Sequence, residues 1–123
     1  MPLGAVWHDF AHVLSDNPPT PEGELRVAAF QAGAQRSERA YFTILFVVLT
    51  FTAGINMTPF DQPMKLGRLG QEDLAEAVIK ELERGSKVTV DLGDAWDFWP
   101  YVAMPLEQAR QELGIVPKDE PGA

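Results

Sequence analysis

The longest apolar run of the chain lies near its middle. Residues 40–60 read AYFTILFVVLTFTAGINMTPF and carry no charged side chain, with Arg39 directly before them and Asp61 directly after. A helix rises 1.5 Å per residue and a bilayer core is about 30 Å thick, so roughly 20 apolar residues are enough to cross it. Tyr41 lies near one end, where an amphipathic ring suits the lipid headgroups. The run therefore predicts a transmembrane helix over residues 40–57.

A buried β-strand is the alternative interpretation of this run. Threonine, isoleucine, valine and phenylalanine are good strand formers, and both alternating sets of side chains are apolar, as in a strand covered on both faces. The upstream sequence favours the helix, because the Thr-Pro-Glu of residues 20–22 is a helix start and residues 24–41 contain no proline. A strand would need a turn within residues 35–40, which offer neither glycine nor proline. A continuous helix from about residue 21 to residue 55 is the favoured prediction.

Helical spacing of apolar residues recurs on both sides of the central run. Over residues 3–14 it predicts a short amphipathic helix, which could lie on a bilayer surface with Trp7 as its anchor. Over residues 71–84 it predicts a second amphipathic helix that ends at Gly85.

The C-terminal third combines two periodicities. Alternation over residues 87–92 predicts a half-buried strand, and a last helix is predicted from Pro105 to a stop at Gly114. A single strand cannot form a sheet alone. The strand is therefore expected to pair with residues 98–104 or with another protein.

These patterns together predict a mainly α fold, in which a long helix with a single transmembrane span precedes a small C-terminal helix–strand–helix piece. Residues 1–20 form an N-terminal amphipathic segment and linker, residues 21–60 the long helix, and residues 61–123 a small extramembrane α/β segment. Arg39 before the span and Asp61 after it favour a cytoplasmic N-terminus in a bacterial inner membrane or its equivalent. A cytoplasmic, soluble α/β single domain is the alternative.

Charge and cysteine content exclude several classes of site. The 123 residues carry 18 acidic and 10 basic side chains, a net charge of −8, and the basic residues are scattered. Nucleic-acid binding is not expected, since phosphates need clustered lysine and arginine. The chain has no cysteine, which removes disulfides, iron–sulfur ligation and zinc–thiolate sites.

One short pattern is typical of metal ligands. His8 and His12 flank Asp9 with the i, i+4 spacing of the metalloprotease pattern, in which two histidines beside an acid can hold zinc. Aspartate replaces the usual glutamate, and no third ligand follows at a characteristic distance. Two solvated histidines on the polar face of a helix are the favoured interpretation. His8 and His12 stay as metal candidates, and no metal or cofactor is predicted.

Aromatic and small residues mark candidate interfaces. Residues 96–101, WDFWPY, are the densest aromatic cluster, and tryptophan and tyrosine dominate binding hot spots. Small residues on the long helix would let another helix approach closely. The predicted partner-binding residues are Trp7, Ala29, Gly33, Trp96, Trp99 and Tyr101.

The sequence contains no nucleophile elbow, Walker loop or dinucleotide fingerprint, so no enzymatic activity is predicted. The favoured function is a non-catalytic accessory subunit of a larger membrane complex of respiratory or photosynthetic type, with other subunits and the lipid bilayer as partners. The alternative is a soluble acidic protein that neutralises a basic partner, as an immunity or antitoxin-like protein does. In that case the acids of residues 72–83 would steer the partner electrostatically.

Overall fold

Five helices make up the described part of the fold in the computed structural model, which covers residues 3–35, 42, 45, 72–92 and 97–118. In chain order these helices are α1 (Leu3–Ser15), α2 (Pro21–Ala34), α3 (Glu72–Ser86), α4 (Trp99–Val102) and α5 (Leu106–Leu113).

The start of α2 follows the capping signals in the sequence. The backbone of Thr20 is extended, and its hydroxyl accepts a hydrogen bond from the N–H of Gly23 at 3.1 Å. Pro21 occupies the first turn, where no N–H is needed, and Glu22 and Glu24 lie near the positive end of the helix dipole. The N-cap predicted at residue 20 is confirmed.

Helices α2 and α3 pack with their backbones in direct contact. Gly33 of α2 lies against the carbonyl group of Leu82, and Gly85 of α3 lies against the carbonyl group of Phe30. A Cβ atom at either glycine would collide with backbone that has little room to move. The absence of two side chains therefore sets the distance between these helices.

Two apolar clusters form the interior. The main core joins α1, α2, α5 and the loop after α3 through Leu14, Phe30, Ala34, Val88, Leu92, Phe98, Ala109, Leu113 and Ile115. The second core lies between α2 and α3 and consists of Leu25, Ala29, Leu74 and Val78. The main core holds the C-terminal end of α1 against α2.

Three cations from different parts of the chain satisfy the last carbonyl groups of α1. Arg110 donates to the carbonyl oxygens of Val13 and Leu14, at 2.9 and 3.0 Å. Arg84 donates to the carbonyl oxygen of Ser15 at 3.2 Å, and Lys118 donates to that of Asp16. The last carbonyls of a helix have no partner within the helix and carry its negative dipole. This end of α1 is therefore fixed by charge-assisted hydrogen bonds.

The predicted membrane-spanning helix is wrong. Among the described residues, no helix is both long enough and apolar enough to cross a bilayer. The continuous helix predicted from about residue 21 ends at Ala34, because Gln35 is extended (φ −74°, ψ 141°) and donates its N–H to Ala32. This end needs neither glycine nor proline, so their absence was no sign of continuation. Of the span at residues 40–57, the described part includes only Phe42 and Leu45. The classification as a single-pass membrane protein is therefore also wrong.

The predicted strand over residues 87–92 is also wrong. The two fold predictions that contain this strand, the C-terminal helix–strand–helix piece and the alternative α/β domain, are therefore wrong as well. The described chain contains no strand, and the proposed partner segment contains α4. Val88 and Leu92 are buried because the loop turns both side chains into the main core. Alternation here reflects an irregular segment with two buried positions.

The sequence placed two helix ends near glycines, with different outcomes. Gly114 terminates α5 in the left-handed conformation (φ 76°), as predicted. Gly85, predicted to end the second amphipathic helix, instead lies inside α3, which continues to Ser86. Its role is the close contact with α2.

Candidate metal centre

His8, His12 and Glu24 meet where α1 crosses the first turn of α2. The two histidines are one helical turn apart, so their side chains leave the same face of α1. The connection between the helices turns at Asp16, which has a positive φ of 60°. Asp tolerates this conformation better than most residues. The turn brings Glu24 opposite the two imidazole rings.

The donor atoms of these three residues converge on one small space. The Nε2 atoms of His8 and His12 are 3.1 Å apart. One carboxylate oxygen of Glu24 lies 3.0 Å from Nε2 of His8, and the other lies 3.2 Å from Nε2 of His12. One ligand atom from each residue falls within 4.8 Å of the others. This is the only such group of three or more candidate ligands among the described residues.

The far side of each ring is held by an oxygen acceptor. Nδ1 of His12 lies 2.9 Å from the carbonyl oxygen of Asn17, which can only accept a hydrogen bond, so this nitrogen carries the proton. Nδ1 of His8 lies 2.8 Å from the side-chain oxygen of Gln31 and donates to it. In the neutral rings both Nε2 atoms are then unprotonated. Each Nε2 atom then lies within hydrogen-bonding distance of the other and of the carboxylate of Glu24.

Three acceptors facing one another require a positive charge between them. In the absence of a metal this charge is a proton. The hydrogen bonds to Glu24 raise the pKa of His8 and of His12 against the opposing effect of burial. Burial opposes ionisation of Glu24, but the hydrogen bonds from His12 and His8 outweigh it and lower its pKa to about 2. In the metal-free protein the cluster therefore favours a bound proton on the histidines and an ionised Glu24.

The spacing of the donor atoms fits a transition metal. Zinc binds imidazole nitrogen and carboxylate oxygen at about 2.0–2.2 Å, so neighbouring ligand atoms in a tetrahedral site lie about 3.3 Å apart. The two Nε2 atoms are 3.1 Å apart, and they lie 3.0 and 3.2 Å from different oxygens of Glu24, so each of these separations is close to this value. Acceptors on the outer nitrogens orient ligating histidines in metalloproteins, and Gln31 and Asn17 supply them here.

Two solvated histidines, the favoured interpretation of this pattern in the sequence, are not what the structure contains. The side chain of His12 is only 12% exposed and that of His8 36% exposed. Both face α2 because α1 packs with this side against it. The sequence did not indicate Glu24 as the third candidate ligand, because it lies on another helix, where an acid in the first turn is already explained by the helix dipole.

The residues predicted to contact a partner are widely separated. Ala29 is fully buried in the second core, and Gly33 contacts α3 of the same chain. Trp99 is 72% exposed, whereas Tyr101 packs against the main core. The structure brings none of these four into the histidine cluster.

Two further predicted contacts concern parts that are not described. The side chain of Trp7 and the whole of Trp96 lie outside the described part of the structure.

Comparison of the chain with protein-family models, with curated proteins and with solved structures finds no match.

Proposed function

We propose that this protein binds one divalent transition-metal ion through Nε2 of His8, Nε2 of His12 and the carboxylate of Glu24. The observation that carries the proposal is the convergence of these three donors with both outer nitrogens already engaged. If the two imidazoles were only hydrogen-bonded to each other, one of the two facing nitrogens would donate and the other would accept. Three acceptors around one space resemble the ligand arrangement of metal sites, which supports the proposal.

The donor set selects the class of ion. Imidazole suits zinc, copper, nickel and iron, whereas magnesium and calcium prefer oxygen ligands alone. Affinity for divalent ions at nitrogen and oxygen sites rises from manganese to copper and falls again at zinc. Zinc, copper, nickel, iron and the intermediate ion cobalt are therefore expected to bind, and magnesium is expected to bind far more weakly.

The test is a zinc titration of the chelator-treated protein, followed by competition with a chromophoric indicator. One ion per chain is expected. His12→Ala or Glu24→Gln should reduce the affinity by about 100-fold or more, since each removes a direct ligand and altering an outer partner alone typically costs 10–100-fold. The matched control is Glu22→Gln, which makes the same charge change in the same turn of α2 and should leave the affinity within a few-fold. Zinc binding that is unchanged in His12→Ala would refute the proposal.

A second candidate function is the recognition of a basic protein. Helix α4 has no buried residue, and Trp99 is 72% exposed beside the carboxylate of Asp97, which accepts the N–H of Trp99 at 3.2 Å. An exposed tryptophan with an acid beside it is suited to anchor a cationic partner in a chain of net charge −8.

The acids of α3 contribute less to such recognition than the sequence predicts. Glu76 is paired with Lys80 at 3.5 Å, and Glu83 is paired with Lys87 at 3.8 Å, so much of the local charge is compensated. The test is binding of an amphipathic lysine-rich peptide, followed by tryptophan fluorescence. The affinity for the peptide should fall as the salt concentration rises, and it should be lower in Trp99→Ala. An affinity that changes with neither salt nor this substitution would exclude this candidate.

A further inference from the structure

We infer that the ion at this centre keeps one coordination position open, and that this position takes water or a small anion. The inference rests on the proposed function, because it concerns the same ion. It adds a ligand class to the site, namely monovalent anions small enough to reach the ion from solvent.

The number of protein ligands supports an open position. Among the described residues the centre has three ligand residues, and a tetrahedral ion needs a fourth donor if Glu24 supplies one oxygen. Gln31 also lies beside His8, but its oxygen accepts from Nδ1 of His8, on the side of the ring away from the three converging donor atoms. Closed structural zinc sites have four protein ligands, whereas sites with three keep a solvent ligand.

Exposure indicates where the open position lies. The side chain of His12 is 12% exposed and that of Glu24 19%, whereas that of His8 is 36% exposed. Of the three side chains, that of His8 is therefore the most accessible to solvent. An exogenous ligand is expected to enter beside His8.

Charge at the centre favours an anion there. A divalent ion with one carboxylate and two neutral imidazoles has a local charge of +1. The net charge of −8 repels anions at long range, but salt screens charges beyond about 8 Å at physiological ionic strength. The attraction at bonding distance is not screened in this way. In binding, the anion replaces the water on the ion, and no electron is transferred.

A substitution at Asp9 would change the charge beside this site without changing a proposed metal ligand. It is exposed on α1, follows His8 directly, and is close enough for its charge to act on the His8 ring. Its negative charge should oppose an anion that arrives beside His8. Asp9→Asn is therefore expected to strengthen anion binding.

The experiment uses the full chain with cobalt in place of zinc, because the visible absorption of cobalt reports its ligands. Azide is added at constant ionic strength and the cobalt spectrum is recorded. A saturable change with one azide per cobalt is expected. The azide affinity should rise by about 2–5-fold in Asp9→Asn, the range for one exposed charge pair, and should be unchanged in Glu112→Gln, which removes an exposed acid of α5.

The outcomes separate the two claims. Cobalt that binds with a spectrum insensitive to azide would show a closed site, which overturns this inference and leaves the proposed function intact. Cobalt that does not bind at His8, His12 and Glu24 would overturn both.

Discussion

The two interfaces of α2 differ in their polar content. Against α3, two glycines bring backbone onto backbone, and the second core beside them is apolar. Against α1, the contact includes the polar cluster of His8, His12 and Glu24. The C-terminal end of α1 is in turn held by cationic side chains from other parts of the chain.

Because of this difference, the α1–α2 contact depends in part on a bound proton or ion, whereas the α2–α3 contact does not. Close apolar packing contains no group that must bind a proton or an ion, whereas a cluster of imidazoles and a carboxylate is stable only when a proton or an ion lies between them. Attachment of α1 is therefore the part of this fold that a ligand can strengthen. The α2–α3 pair provides the rigid frame against which such a change acts.

The largest effect is expected where the polar attachment of α1 is most deeply buried. Arg84 and Glu81 are 8% and 5% exposed and form an ion pair at 2.7 Å, while Arg84 also donates to Ser15 at the end of α1. Arg84→Met leaves the Glu81 carboxylate buried without its main partner. The free energy of unfolding should fall by about 3–5 kcal/mol in urea denaturation.

A double variant distinguishes the cost of a buried unpaired charge from the loss of the hydrogen bonds that Arg84 donates to α1. In Arg84→Met with Glu81→Leu no charge is left buried, so part of the lost stability should return. A double variant as unstable as the single one would show that the hydrogen bonds to α1 carry the effect.

The apolar interface is tested at Gly85. On an exposed helical surface, replacing glycine by alanine stabilises by up to about 1 kcal/mol. Here the added Cβ would meet the backbone of Phe30, so Gly85→Ala should instead destabilise by about 1–3 kcal/mol. The neighbouring exposed variant Ser86→Ala should stay within about 0.5 kcal/mol. A stabilised Gly85→Ala would contradict the close approach of α2 and α3.

A smaller, pH-dependent effect is expected from the histidine cluster of the metal-free protein. The raised pKa values of His8 and His12 stabilise the fold below their ordinary value of 6.5, and this contribution is lost as the pH rises through the folded-state values. The lowered pKa of Glu24 stabilises above its ordinary value of 4.5 and is lost as the pH falls towards about 2. The cluster therefore contributes most between these two ordinary values.

Glu24→Gln measures this contribution. It should cost about 1 kcal/mol within that window, because the site is partly exposed and glutamine still accepts a hydrogen bond. The difference from the wild type should narrow at higher and lower pH, as followed by urea denaturation at each pH. Glu22→Gln serves as the control, and a difference that stays constant with pH would rule out the titration of this cluster as its cause.

Sequence patterns located four of the five described helices, α1, α2, α3 and α5, but neither α4 nor the candidate site. The apolar spacing of α1 and α3, the cap at Thr20 and the stop at Gly114 are local signals, and each predicts an element correctly. The end of α2 at Ala34 has no such signal. The irregular path after α3 depends on burial of Val88, which alternation alone cannot distinguish from a strand.

The histidine pair was visible in the sequence because both residues lie on one helix. Its completion by Glu24 depends on how α1 crosses α2, which no local pattern encodes. His8 and His12 could therefore be recognised as candidates from the sequence, while only the fold shows that Glu24 joins them in one candidate site.

The most direct test of the account is a crystal structure of the full chain grown with zinc, with diffraction data collected at the zinc absorption edge. We expect one anomalous peak between α1 and α2, with bonds of about 2.0–2.2 Å to Nε2 of His8, Nε2 of His12 and the carboxylate of Glu24. Zinc bound elsewhere, with these three side chains still hydrogen-bonded to one another, would contradict it.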